Sequence, residues 1–121
     1  MLRSVGVAAA GAAGALARYW IGVAVGVRAF PWATLGINVT GSYVLGLVLT
    51  VGTERGWPED VTVPLAVGFL GAYTTFSTFS YETQLLLRTD RAATAALYVA
   101  ASVAGGVLAA AAGYASARWL A

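Results

Sequence analysis

Residues 68–80 read GFLGAYTTFSTFS, a polar and aromatic run inside a chain otherwise built for lipid. Thr74, Thr75, Ser77 and Thr78 supply hydroxyls in quick succession, and Phe76 and Phe79 stand three apart. In hydrocarbon, backbone that disfavours helix is tolerated only where protein buries it or where it lines a cavity. The run is therefore read as the working part of an all-α membrane protein. Glycine and β-branched residues make 68–80 a poor continuous helix, while a lone strand in lipid would leave its backbone unpaired. The sequence predicts a helix broken near Gly71 to Thr75. Carbonyls exposed at such a break suit a hard cation such as Na⁺. A kink satisfied by neighbouring hydroxyls is the other reading.

Working outward, four apolar segments are each long enough to cross a bilayer core of about 30 Å. They run from about Val5 to Val27, Trp32 to Val51, Val61 to Leu87 and Ala92 to Ala117, as one domain over 1–121. The connections are short. Residues 28–31 (RAFP) end on a proline suited to a helix start, 53–60 hold Glu54, Arg55, Glu59 and Asp60, and 88–91 read RTDR. Asp90 is expected to cap the fourth helix. Although Arg3 and the Ala-rich stretch after it have a leader-like look, the apolar run exceeds an ordinary h-region and three spans follow, so it is read as a span. Trp32, Trp57 and Trp119 fall near span ends, as an interfacial aromatic belt places them. Ala101, Gly105, Ala109 and Gly113 recur every four residues, as do Gly22 and Gly26, a spacing that lets helix backbones approach. There is no low-complexity linker and no clear internal repeat.

Composition agrees and excludes much. The chain is 60% hydrophobic and 10% charged, with a mean hydropathy of +0.78, far from the roughly 25% charged of soluble domains. It holds no cysteine and no histidine, which rules out disulfides, thiolate sites, a histidine proton relay and a histidine-based triad. All seven cationic residues are arginine and they are scattered, so nucleic-acid binding has no electrostatic footprint. No P-loop glycine and lysine spacing is present, and no nucleophile stands with a base. The chain is not read as an enzyme.

Four spans put the termini and the second loop on one side, the first and third loops on the other. Arg3, Arg55 and Arg118 belong to the first set; Arg28, Arg88 and Arg91 belong to the second. Three against three leaves no positive-inside bias. A chain so balanced is expected to insert both ways, and two copies can then pair antiparallel.

Several side chains carry candidate chemistry. Phe76 and Phe79 share a helix face after the break, and ring edges are positive, so edges along a narrow path attract a small anion without trapping it. Ordinary aromatic packing is the bland alternative. Thr75, Ser77, Thr78 and Ser80 surround the rings with O–H donors, which favour an anion; carboxylates would favour a cation or a proton. Asn38, inside 34–42 (TLGINVTGS), offers amide N–H groups to an anion or serves as interhelical glue. Tyr98 and Ser102, four apart, present two hydroxyls on one face. Arg18 lies roughly 13 Å of helix before Val27, deep for a charge. It is read either as drawing anions into a vestibule or as paired with Glu82.

Three separated motifs carry a family resemblance: 11–19 (GAAGALARY), 34–42 and 68–80. Along essentially its full length the chain resembles the CrcB/Fluc fluoride channels, with Ala33 and Ala72 at positions commonly glycine there. The resemblance implies a multi-pass protein of the inner or plasma membrane. It implies an antiparallel, dual-topology dimer of identical or homologous chains, each with four helices and a broken third. It implies passive, selective fluoride export that lowers fluoride toxicity, along paths lined by Phe76, Phe79, Asn38, Thr78, Tyr98 and Ser102. It also implies a structural, non-transported Na⁺ held by the carbonyls of Gly71 and Thr74, and a structural or vestibule role for Arg18. Glu82, like Arg18, is read as a structural or vestibule charge.

Two other classes compete. A small dual-topology, proton-coupled drug exporter also has four spans, but relies on an acidic residue in the first span, where this chain has Arg18. A structural membrane subunit explains the small-residue faces and leaves the 74–80 run without a purpose.

Overall fold

The computed structural model describes residues 1–120, and every regular element among them is helical. Helix α1 spans Leu2–Val25 and α2 spans Trp32–Glu54. A bent succession follows: α3 (Glu59–Val63), a π-helical segment (Pro64–Leu70), α4 (Gly71–Tyr73) and α5 (Phe76–Arg88). Helix α6 spans Ala92–Leu120. The stretches Leu2–Val25, Trp32–Glu54, Glu59–Arg88 and Ala92–Leu120 are each long and apolar enough to cross a membrane. At most 22% of the most apolar window of any of them is buried, so the apolar surface faces outward, as lipid requires and water forbids. This is a multi-pass membrane protein, with span ends less than one turn from those the sequence suggests.

Local chemistry sets the boundaries. Gly26 ends α1 at φ 70°, its N–H donating to Gly22 O at 3.0 Å. Pro31 precedes α2, and its carbonyl accepts from Leu35 N–H. Glu59 and Asp60 occupy the first turn of α3, where negative charge suits the helix dipole. Asp90 does not cap α6: it takes φ 57° while Arg91 N–H reaches back to Leu86 O at 2.9 Å. That is a helix-terminating turn in which Asp tolerates the left-handed conformation. The predicted N-cap is thus the end of the preceding helix.

Two close helix pairs organise the packing, both through glycine. A Cβ on Gly113 would strike Tyr43 O, and one on Gly46 would strike Ala110 O, so α2 and α6 lie backbone to backbone. On the other side α1 seats the π-helical segment. A Cβ on Gly14 would strike Phe69 O, and one on Gly68 would fall 2.8 Å from Val7 O. Of the glycine stripes in the sequence, Gly105 and Gly113 work as helix contacts. Gly22 and Gly26 face open space, and Gly26 is used for its positive φ instead.

The two ends of the bundle differ. At one, Arg3 pairs with Glu59 at 2.7 Å and Asp60 at 2.9 Å, and Arg55 donates to Leu120 O at 2.8 Å, so the termini and second loop meet there. At the other, Phe30 of the first loop packs on the buried cluster of Leu86, Ala95 and Tyr98. The polar run of 74–80 lies between these ends.

Candidate functional site

Thr74 (φ −81°, ψ 156°) and Thr75 (φ −150°, ψ 115°) have extended backbone between α4 and α5. Their position refines the sequence expectation, because Gly71 itself is helical at φ −64°, ψ −35°. What holds two extended residues at this depth is Asn38. Its Nδ2 donates to Thr75 O at 3.1 Å, and Thr75 N–H donates to Asn38 Oδ1 at 2.8 Å. One side-chain amide thus engages both backbone polar groups of Thr75. One turn along α2, Gly41 makes room for the Thr74 methyl and the Tyr73 ring.

The interruption also frees carbonyls. In a continuous helix Gly71 O would accept from Thr75 N–H, but that N–H is committed to Asn38. Thr78 N–H turns to Thr75 Oγ1 at 3.2 Å and not to Thr74 O. Ala72 O accepts from Arg18 Nε at 3.1 Å. Among the described residues no hydrogen bond reaches the carbonyls of Gly71 or Thr74. Gly71 is exposed on this surface and Thr74 half-buried. Bare carbonyl oxygens are the donor set of a hard cation, and no cluster of three or more His, Cys, Asp or Glu among the described residues offers a rival site.

Beyond the break the groups are polar and aromatic together. Thr75 caps α5, and its hydroxyl donates to Thr78 Oγ1 at 3.0 Å. Phe76 and Phe79 have ring centroids 5.7 Å apart, and Phe79 meets Tyr98 edge to face at 5.2 Å. Phe30 adds a further edge contact to Tyr98 at 5.5 Å. Tyr98, 0% exposed, donates to Glu82 Oε2 at 2.6 Å, while Thr34 donates to Glu82 Oε1 at 2.9 Å. One turn past Tyr98, Ser102 Oγ is buried without a partner. Ser80 spends its hydroxyl on Phe76 O, within its own helix.

The fold therefore joins Asn38, Thr75 and Thr78 in one chain of bonds, and Phe79, Tyr98, Glu82 and Thr34 in another. Ser102 bonds to none of them. Arg18 and Glu82 form no ion pair: both oxygens of Glu82 are engaged by hydroxyls, and Arg18 Nε is engaged by a backbone carbonyl. The pairing weighed from charge alone is replaced by contacts to neutral partners. Thr34 and Phe30 had been given no role. The signal for Thr34 was its place four residues before Asn38 and seven before Gly41, which sets all three on one face of α2. A cleft of about 770 Å³ opens between α1, α2 and α5, lined among others by Arg18, Arg28, Thr34, Thr78, Glu82 and Arg91. Three guanidinium groups against one hydroxyl-bound carboxylate make its field attractive to anions.

The model of the CrcB-like, camphor-resistance (CrcB) proteins matches residues 5–114. The chain belongs to the CrcB family. Similar CrcB-type proteins include fluoride-specific ion channel FluC 2 of Geobacillus kaustophilus, 46% identical over 90% of this chain and 88% of that one. Fluoride-specific ion channel FluC of Geobacter metallireducens is 45% identical over 85% and 86% of the two chains. The FluC channel of Bordetella petrii is 42% identical over 98% and 94%. The match to the CrcB model takes in both extended threonines, Asn38 and the ring sequence.

Proposed function

We propose that this protein is a fluoride-selective channel that lets fluoride leave the cell passively across the plasma membrane. The observation that carries the reading is the succession of rings Phe76, Phe79 and Tyr98, tilted at the first contact and edge to face at the second, flanked by hydroxyls and by an amide. Fluoride is small and strongly hydrated. A selective path must replace its water with close donors and positive ring edges, and a narrow path excludes larger halides. Asn38 supports this, since Thr75 O engages Nδ2 and the amide has a second N–H to offer. Thr78 and Ser102 continue the donor line, Tyr98 lines it with its ring while its hydroxyl is held by Glu82, and the unpartnered Ser102 hydroxyl is free to turn toward the ion. Membrane voltage, worth about 2.3 kcal/mol per charge for each 100 mV, drives the ion out without ATP.

The path is completed, in this reading, by a second copy in the opposite orientation. Phe76 is 79% exposed and Tyr81 69% exposed, large aromatic groups on the same helix as the candidate path. The equal division of arginines lets one sequence supply both orientations. We read Thr74–Thr75 as the break of the third span. Gly71 and Thr74 carbonyls then face the junction of the two copies and hold a structural, non-transported Na⁺, which neutralises oxygens that the break leaves bare. Arg18, Arg28 and Arg91 gather anions at the cleft.

The test is fluoride efflux from liposomes containing only this protein, with valinomycin clamping voltage and a parallel chloride run. Fast fluoride release without chloride release is expected. Equal rates for the two ions, or no release from well-folded protein, would sink the reading.

A further inference from the structure

The last carbonyls before Thr75 present a selection problem. A helix end leaves several carbonyls without intrahelical donors, and here that end sits among apolar spans. Of the last four, Gly71 O, Tyr73 O and Thr74 O receive no donor among the described residues, and Ala72 O alone is bonded, to Arg18. The donor comes from α1, 54 residues away, and is a part-buried guanidinium. No carboxylate neutralises it, because Glu82 is bound by Thr34 and Tyr98.

The geometry points to Arg18 as a positioning residue that decides which carbonyls form the cation cradle and which cation it accepts. This inference rests on the cation reading given above and goes beyond it. By holding Ala72 O toward α1, Arg18 removes one oxygen from the set available to the ion. A smaller set of neutral oxygens suits a monovalent cation, since Ca²⁺ takes six to eight oxygen ligands. Arg18 also leaves a permanent positive charge on the carbonyl that follows that of Gly71 in sequence. Coulomb repulsion from that charge acts on a divalent ion with twice the strength it has on a monovalent one. Both effects exclude Ca²⁺. Lysine does not reproduce the arrangement, because a flexible ammonium keeps the charge without the planar group that fixes a carbonyl's direction.

The experiment measures Tm of the purified full-length protein in detergent during NaCl and CaCl₂ titrations, with choline chloride holding ionic strength. The wild-type chain is expected to gain stability with Na⁺ and to ignore Ca²⁺. Arg18→Gln removes the charge and loosens the carbonyl, so Ca²⁺ is expected to stabilise it, at a half-effect concentration at least about tenfold below any seen in wild type. Arg18→Lys is expected to go on rejecting Ca²⁺ while its Na⁺ half-effect concentration rises about tenfold. If Arg18→Gln does not fold, the Lys variant decides alone by that rise. A merely structural arginine would lower Tm equally in every salt and leave cation preference untouched; that pattern overturns the inference. A wild-type protein indifferent to Na⁺ would remove the cradle itself, a failure of the earlier reading that is distinguishable from this one.

Discussion

The third span has two halves that behave oppositely. Before Thr75, the π-helical segment lies against α1 so closely that Gly14 and Gly68 admit no side chain between the backbones. After it, α5 leaves Phe76 and Tyr81 largely bare and is tied inward chiefly through Leu86, Phe79 and the bonds of Glu82. The first half is defined by absence of side chains, the second by their chemistry. One half is framework and the other is a surface whose ring and hydroxyl groups remain available. The division falls at the two residues that Asn38 and Gly41 hold extended.

Substitutions can test that division, beginning with the most damaging. Gly14→Val drives a branched side chain into the Phe69 carbonyl and is expected to cost at least about 3 kcal/mol, with little folded protein recovered on size exclusion. Recovery at wild-type yield would dissolve the framework half. Phe79→Ala and Phe76→Ala should do the reverse, leaving assembly intact while fluoride flux in liposomes falls about tenfold, one ring contact's worth. Unchanged flux in both would take the rings out of the path. Asn38→Asp straddles the halves, because a carboxylate oxygen then opposes the Thr75 carbonyl. A stability loss of about 2 kcal/mol is expected, together with reduced flux. Normal flux with lowered stability would confine Asn38 to holding the break. Arg3→Ala, which removes only a solvated pair with Glu59 and Asp60 at the start of the third span, should change neither Tm nor flux measurably.

How far the sequence could be read follows the range of the forces involved. The four spans were legible because hydropathy accumulates over twenty residues, and the polar run stood out because lipid tolerates few exceptions. That the Glu59–Arg88 segment bends was legible from its glycine and β-branched content. Its latch was not. That Asn38 meets Thr75, 37 positions away, depends on how α2 crosses the third span, and an amide in an apolar segment announces only that it needs a partner. Arg18 misled for a related reason. A sequence displays side-chain charges, so Glu82 looked like the complement, whereas the actual acceptor, Ala72 O, becomes available only once the helix ends. At Asp90, a residue equally suited to starting a helix and to a left-handed turn was given the wrong one of its two uses.

The π-helical segment adds a constraint of another kind. Residues 64–70 (PLAVGFL) look like any apolar stretch, yet Gly71 N–H closes back onto Ala66 O, five residues earlier. A chain one residue shorter there would still be helical. It would, however, rotate all that follows by about 100° about the helix axis, carrying Thr74 and Thr75 away from Asn38 and Gly41. Among descendants of this sequence, letters between Pro64 and Leu70, Gly68 apart, can therefore change far more freely than their number, and a gap in that block of an alignment marks a chain that has lost its latch.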